Sequence, residues 1–201
     1  MEFFFEFLLY LKTLINEYYL LSLIIFSLYL FLHSIISLPG VIILWIFSGY
    51  AFGIYMGYII SIIFTVFGSF ILFILSKTIF HKYFRKYFNN QIQIVENTIK
   101  ENSYEILILF RMIPINVPFF IQNVGISFLK ISSKKYLITT FIGFTPLTFM
   151  CSLIGDAIII FDDIKNVNIK DIISYNFLII IGIIIFLLFL RIYYKNKKEK
   201  K

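Results

Sequence analysis

Apolar positions in this chain come in long blocks instead of alternating with polar ones. Four blocks have the length of a bilayer crossing: roughly residues 18–37, 57–79, 134–155 and 172–191. Twenty uncharged residues separate Lys135 from Asp156, and nineteen separate Asp171 from Arg191. A hydrocarbon core takes about 20 residues of helix, so each block predicts one helical span. Between Glu17 and Lys77 there is no Asp, Glu, Lys or Arg at all, which is more than two crossings. In lipid the backbone must satisfy its own hydrogen bonds, so spans of this kind are helices.

Two further apolar stretches, 38–56 and 106–129, do not read as ordinary spans. The second, "ILILFRMIPINVPFFIQNVGISFLK" over 106–130, carries Arg111, Pro114, Pro118, Asn123 and Gly125. It lies between two basic regions, "KTIFHKYFRKYF" at 77–88 and Lys130, Lys134 and Lys135. Positive residues favour the cytoplasmic side, so both flanks belong there and the chain must enter and return on one side. The prolines supply the break that such a re-entrant hairpin needs. The segment "GDAIIIFDDIKNVNIKD" at 155–171 holds four acids against two lysines and reads as an outer loop. The tail "KNKKEKK" reads as cytoplasmic. Counting back through four crossings puts the N-terminus inside and makes 38–56 a second re-entrant segment, entering from outside.

The expected fold is therefore an all-α polytopic membrane protein: about four transmembrane helices plus two re-entrant helical hairpins as an inverted repeat. Residues 1–34 are an N-terminal segment and first span. Residues 35–157 form the central domain (re-entrant 38–56, span 57–79, interfacial helix 80–99, re-entrant 106–129, span 134–155). Residues 158–201 form the outer loop, last span and basic tail. Pro39, Gly49, Phe52 and Gly68 recur about 75 residues later as Pro114, Gly125, Phe128 and Gly143, and opposed repeats with broken helices are a transporter architecture. Over 80–99, Phe80, Phe84, Tyr87, Phe88, Ile92, Val95 and Ile99 recur at helical spacing beside His81, Lys82, Arg85 and Lys86. That pattern predicts an amphipathic helix in the cytoplasmic headgroup region, or else a connector packed on the protein.

Composition agrees. The 201 residues are 60% hydrophobic and 20% aromatic, with a mean hydropathy of +0.92, above the soluble range. The net charge of +7 sits beside apolar segments, where it sets topology and meets anionic lipid, so nucleic acid is not an expected partner. Cys151 stands alone, which excludes an internal disulfide, and reads as a packing residue. The start "MEFFFEFLLYLK" lacks a basic n-region and reads as retained chain, not a signal peptide. The abundance of Ile, Phe, Lys, Asn and Tyr fits an AT-rich genome, and the expected location is a bacterial cytoplasmic membrane with both termini cytoplasmic.

Arg111 is the strongest chemical signal. An arginine inside a span costs roughly 2.5–3.5 kcal/mol on insertion scales, so it faces a cavity or a partner; otherwise it snorkels to the nearby interface that Glu105 marks. Its planar fork suits phosphate, with Asn123 as a second substrate contact. Pro39, Pro114, Pro118 and Pro146 with Gly125 and Gly143 read as turn and packing residues. Gly49, Gly53 and Gly57 form overlapping G-x-x-x-G patterns that permit close helix contact. Asp156 reads as a boundary residue. No Walker loop, dinucleotide fingerprint, metal motif or nucleophile elbow occurs, and His33 and His81 have no ligand spacing. Neither an enzyme nor a cofactor is expected.

These residues carry a resemblance. "LPGVIILWIFSGYAFGIYMG" resembles the proline-led "G-x-x-F-G-x-x-x-G" core of the DedA-like, VTT-domain membrane proteins, also called SNARE-associated Golgi proteins. Arg111-x-x-Pro114-x-x-x-Pro118 with Asn123 resembles that family's Arg/Pro signature in its paired-proline branch, and "KIS" at 130–132 and "TTFIGFTP" at 139–146 resemble its following helix. The resemblance covers about residues 35–157. It implies two opposed re-entrant hairpins and movement of lipids between leaflets: phospholipid scrambling in animal relatives, undecaprenyl-phosphate recycling and envelope and proton-gradient homeostasis in bacterial ones. The chain departs from the pattern at Val117, where many bacterial members have a second arginine, at Phe120, where the paired-proline branch often has Asp, and in lacking an acid over 38–56. What carries over is phosphate recognition by Arg111, not proton coupling through those acids. The expected partners are anionic or phosphate-headgroup lipids, with a homo-oligomer left open. Two rivals use the same architecture: an ion-coupled small-solute transporter, and a non-transporting scaffold that organises partners or lipids through 80–99.

Overall fold

The structure is a computed structural model and describes residues 2–99, 104–112 and 118–163; the expected span 172–191, the basic tail and Pro114 lie outside them. The described residues up to Ile158 belong to one compact unit, and they are helical. Helix α1 covers Glu2–Glu17 and α2 Tyr19–Ile36; α3 covers Val41–Phe52 and α4 Ile54–Thr78. Two short helices follow, α5 His81–Tyr87 and α6 Asn89–Thr98, then α7 Tyr104–Met112, α8 Phe119–Ser127 and α9 Ser133–Asp163.

Among the described residues, three helices are long and apolar enough to cross a membrane: Tyr19–Ile36, Ile54–Thr78 and Ser133–Ile158. Their polarity is turned inside out relative to a soluble bundle. On α2 the exposed positions are Leu20, Leu21, Ile24, Ile25, Leu28 and Leu32, while Ser27, His33 and Ser34 are buried. In water that arrangement would expose a large apolar patch and strand polar groups; in lipid it is the stable one. The chain is an integral membrane protein.

Helix directions follow from residue contacts. Phe26 of α2 packs on Phe47 and Phe52 of α3, and Tyr19 also reaches Phe52, so α3 runs back along α2. Trp45 Nε1 then donates to Thr65 Oγ1, and the Ser48 hydroxyl bonds both the Gly57 carbonyl and Ser61, which sets α4 antiparallel to α3. Helices α2 and α4 are consequently parallel, and Gly68 of α4 lies on Phe31 and Ser34 of α2. The charge count expects spans 18–37 and 57–79 to run in opposite directions. The structure corrects this: the reversal falls at 37–40, where Ser37, with φ 58, and Gly40, with φ 97, bracket Pro39. Residues 54–56 belong to the same helix as 57–78, so 38–56 is not a separate hairpin. The doubling-back element is α2–α3.

A second helix pair repeats this form. Helix α9 is antiparallel to α4, with Tyr136 stacked on Phe73 and Tyr58 on Phe149. Helix α7 runs alongside α9, from Tyr104 beside Lys135 to Ile108 and Arg111 beside Gly143. Helix α8 returns the opposite way, from Phe119 on Phe144 to the bend before α9. Pro118, with φ −52 and ψ 146, begins α8 as its N-cap and so terminates the turn. Pro146 lies inside α9, which continues through it.

The expected single helix over 80–99 is two helices, broken at Phe88. Phe84, Ile92, Val95 and Ile99 are buried on the protein itself, with Val95 against Gly125 of α8; Tyr83 and Tyr87 stay exposed. The periodicity is real, and most of it faces the bundle. The N-terminal placement also differs from the charge count. Lys12 of α1 reaches the C-terminal end of α3, where Asp156 lies beside Gly53. Helix α1 thus sits at the Asp156 end, opposite the end where Lys77 donates to the Ile131 carbonyl.

Glycines set the closest contacts. A β-carbon on Gly49 would strike the Ser152 backbone, and one on Gly155 the Ile46 carbonyl, so α3 and α9 touch backbone to backbone, as small residues permit in membranes. Gly155→Ala should lower unfolding stability by about 1–3 kcal/mol through overpacking. Thermal unfolding of the purified protein checks this, and an unchanged midpoint would refute the close contact.

Candidate functional site

Arg111 stands in the last turn of α7, a position the negative end of a helix favours for a cation. It is 2% exposed, so the snorkelling alternative is excluded by burial. Its Nη1 donates to Asn123 Oδ1 at 2.6 Å. Asn123 of α8 is fully buried and its Nδ2 donates to Ser37 Oγ at 2.9 Å. The Tyr136 hydroxyl of α9 lies 3.1 Å from Asn123 Oδ1 and 3.1 Å from the Ser69 carbonyl of α4; with one proton it donates to one of them at a time. The guanidinium carbon sits 5.1 Å from the Tyr136 ring centroid and 5.0 Å from that of Phe144. Two aromatic faces therefore support the charge.

This cluster ties together α2, α4, α7, α8 and α9. It also joins the two helix pairs: Ser37 begins the α2–α3 turn, Arg111 stands in the last turn of α7 and Asn123 lies within α8. Ser69 stands 15 residues from the start of α4 and 9 from its end, about 22 Å and 14 Å at 1.5 Å per residue. The charge is held well inside the bundle.

What Arg111 lacks is as informative as what it holds. Its Nε and Nη2 are buried without a hydrogen-bond partner among the described residues, and so are the hydroxyls of Ser34 and Ser69. No carboxylate pairs with it there; Arg85 and Glu96 form an ion pair elsewhere, at 2.9 Å. Nε–H and one N–H of Nη2 point along the same edge of the guanidinium, the edge that grips two oxygens of a phosphate or carboxylate at once. Asn123 occupies Nη1 and leaves that edge free. A buried permanent charge with half its donors idle is expensive, and an anion on that edge satisfies both deficits.

A family model described as the VTT domain matches residues 38–157. The chain belongs to the VTT-domain family. VTT-domain chains are generally membrane proteins of the DedA type, and the matched range spans α3 to α9, including Arg111, Asn123 and Tyr136. No solved structure matches the chain.

Of the residues singled out by sequence, Arg111 and Asn123 meet directly. Gly143 lies against Arg111 and the Ile108 carbonyl, and Gly68 takes the matching position on α2. Gly125 packs on Val95, Gly57 on Ser48 and Gly49 on Ser152; these contribute packing at a distance from the guanidinium. Gly53, with φ 79, is the break between α3 and α4. Sequence reasoning missed Ser37, Ser69 and Tyr136. Serines in an apolar run look like packing residues, and a tyrosine beside Lys134 and Lys135 looks like an interface anchor. The one signal for Ser37 was its place just before Leu-Pro-Gly. Its left-handed backbone, uncommon for a residue with a side chain, is held where the hydroxyl meets Asn123.

The network makes a graded prediction. Asn123→Ala should reduce stability by about 2–3 kcal/mol, because it strands a donor of a buried charge. Tyr136→Phe should cost only about 1 kcal/mol, the net worth of one hydroxyl bond. Thermal unfolding of both variants checks the order, and equal losses would show that Asn123 does not hold the guanidinium.

Proposed function

We propose that this protein moves phosphate-headgroup lipids, phospholipid or polyprenyl phosphate, between membrane leaflets as a transporter or scramblase. The observation that carries the reading is the buried Arg111, fixed by Asn123 at one nitrogen and without a partner among the described residues along its Nε/Nη2 edge. That edge fits two oxygens of a phosphate better than any solitary cation or neutral solute. The headgroup pairs with Arg111 between the hairpins while the acyl or prenyl tails stay in lipid.

In this reading both hairpins are re-entrant. Helix α3 has 12 residues and α8 has 9, about 18 Å and 14 Å, well short of the roughly 30 Å hydrocarbon core. The α2–α3 turn reaches α8 part-way along that helix through the Ser37–Asn123 bond. Helices α2–α3–α4 and α7–α8–α9 are then the two opposed units of an inverted repeat, entering from opposite faces, with the site at their junction. Positive-inside bias assigns the Lys77, Lys130, Lys134 and Lys135 end to the cytoplasm; α1 and Asp156 then lie on the other side. An equilibrating route needs no energy source, so the direction of net movement follows the lipid gradient.

Reconstitution into liposomes holding headgroup-labelled phospholipid or polyprenyl phosphate, with dithionite quenching, tests the proposal. Wild type should expose inner-leaflet probe faster than empty vesicles. Arg111→Gln should slow this about 10- to 100-fold, the value of a charged hydrogen bond, and Arg111→Lys should fall between. Uptake of soluble inorganic phosphate without lipid movement would assign the fork to a small solute instead, and neither activity would overturn the transport reading.

A further inference from the structure

Away from Arg111, the break between α3 and α4 collects negative ends from two elements around one cation. Helix α3 stops at Phe52 and α4 begins at Ile54, with Gly53 between them at φ 79 and ψ 171. Gly53 N–H satisfies the Gly49 carbonyl. The next two carbonyls in the series, Tyr50 and Ala51, accept instead from Lys12 Nζ, at 2.8 Å and 2.9 Å. Carbonyls at a helix C-terminus are the negative pole of its dipole. The Asp156 carboxylate arrives from α9, with Oδ1 3.7 Å from where a β-carbon on Gly53 would sit, and it acts electrostatically on Lys12. The ammonium also lies 5.8 Å from the Tyr50 ring centroid.

Carbonyl oxygens at a helix C-terminus are donors that alkali cations take in membrane proteins, and a nearby carboxylate adds negative charge. Lys12 comes from α1, on a separate element 38 residues before Tyr50. It is a cation on a tether. Burial pulls its pKa below the ordinary lysine value, and Asp156 pulls it back, so the site must supply its own attraction to keep the charge there.

We propose that the Tyr50 and Ala51 carbonyls, backed at longer range by the Asp156 charge, form a monovalent-cation site that the chain fills with its own Lys12 ammonium, latching α1 onto the α3–α4 turn. The site is independent of Arg111 and of lipid binding. Emptied of Lys12, it should accept sodium or potassium; filled, it should ignore them.

Thermal unfolding of the detergent-purified full chain in sodium or potassium chloride, against choline chloride at equal ionic strength, reads this directly. Wild type should show the same midpoint in all three salts. Lys12→Met should unfold at a lower temperature in choline and regain a saturable upward shift in sodium or potassium. Adding Asp156→Asn to Lys12→Met should remove that shift. A Lys12→Met midpoint indifferent to alkali cation, or a shift that survives Asp156→Asn, would overturn the proposal. Should Lys12→Met not fold, wild type supplies a second measurement: acylation of Lys12 relative to the exposed Lys86, followed by peptide mass spectrometry. Lys12 should be acylated more slowly than Lys86 in potassium and choline alike, and Asp156→Asn should raise the Lys12 rate; Lys12 acylation as fast as that of Lys86, or indifferent to Asp156→Asn, would contradict the site.

Discussion

A guanidinium tied at one nitrogen and idle along its other edge is the constraint around which this bundle is arranged. Arg111 carries a charge that no pH removes into an interior where its Nε and Nη2 have no partner among the described residues. Nothing about helix packing alone would favour that. Asn123 accepts from it, Ser37 holds Asn123, and Tyr136 braces both by hydroxyl and ring. Each brace comes from a different helix, so the position of the charge and the positions of five helices are one problem. The strained Ser37 backbone belongs to the same arrangement, since its hydroxyl connects the α2–α3 turn to Asn123 of α8.

The packing elsewhere serves that junction. Gly68 and Gly143 let each long helix approach the hairpin helix preceding it, one against Phe31 and Ser34, the other against Ile108 and Arg111. Gly49, Gly57 and Gly155 pull α3, α4 and α9 together toward the Asp156 end. With small residues at the crossings and large apolar side chains outward, the bundle gains dispersion where the hydrophobic effect between helices is absent. The charge and the fully buried amide, Arg111 and Asn123, meet beside Ser37, while buried serines and threonines are spread along α2, α3, α4, α8 and α9.

Much of this was legible in the chain. Uncharged runs located α2, α4 and α9, since length and composition suffice for a span. Arg111 and Asn123 stood out because charge and amide are conspicuous in oil, and basic residues on both flanks of 106–129 raised the expectation of a re-entrant segment there. The direction of α2 was not legible. Deciding it needed the turn at 37–40, and residues 18–76 offer no charge to vote on sidedness. For residues 80–99 two placements stayed open for a related reason: an apolar face has the same period whether it covers lipid or protein. Ser37, Ser69 and Tyr136 were invisible because their roles depend on partners 13 to 86 residues away, and short polar side chains in apolar helices serve packing as often as chemistry.

The central claim is that the free edge of Arg111 holds a phosphate borne by a lipid, and retained lipid reports on it most directly. Native mass spectrometry of the protein extracted in mild detergent, followed by lipid identification, compares wild type with Arg111→Gln. The account predicts a phosphate-bearing lipid retained by the wild-type chain and lost from Arg111→Gln at matched detergent and folding state. Equal retention of the same lipids by both proteins would contradict it.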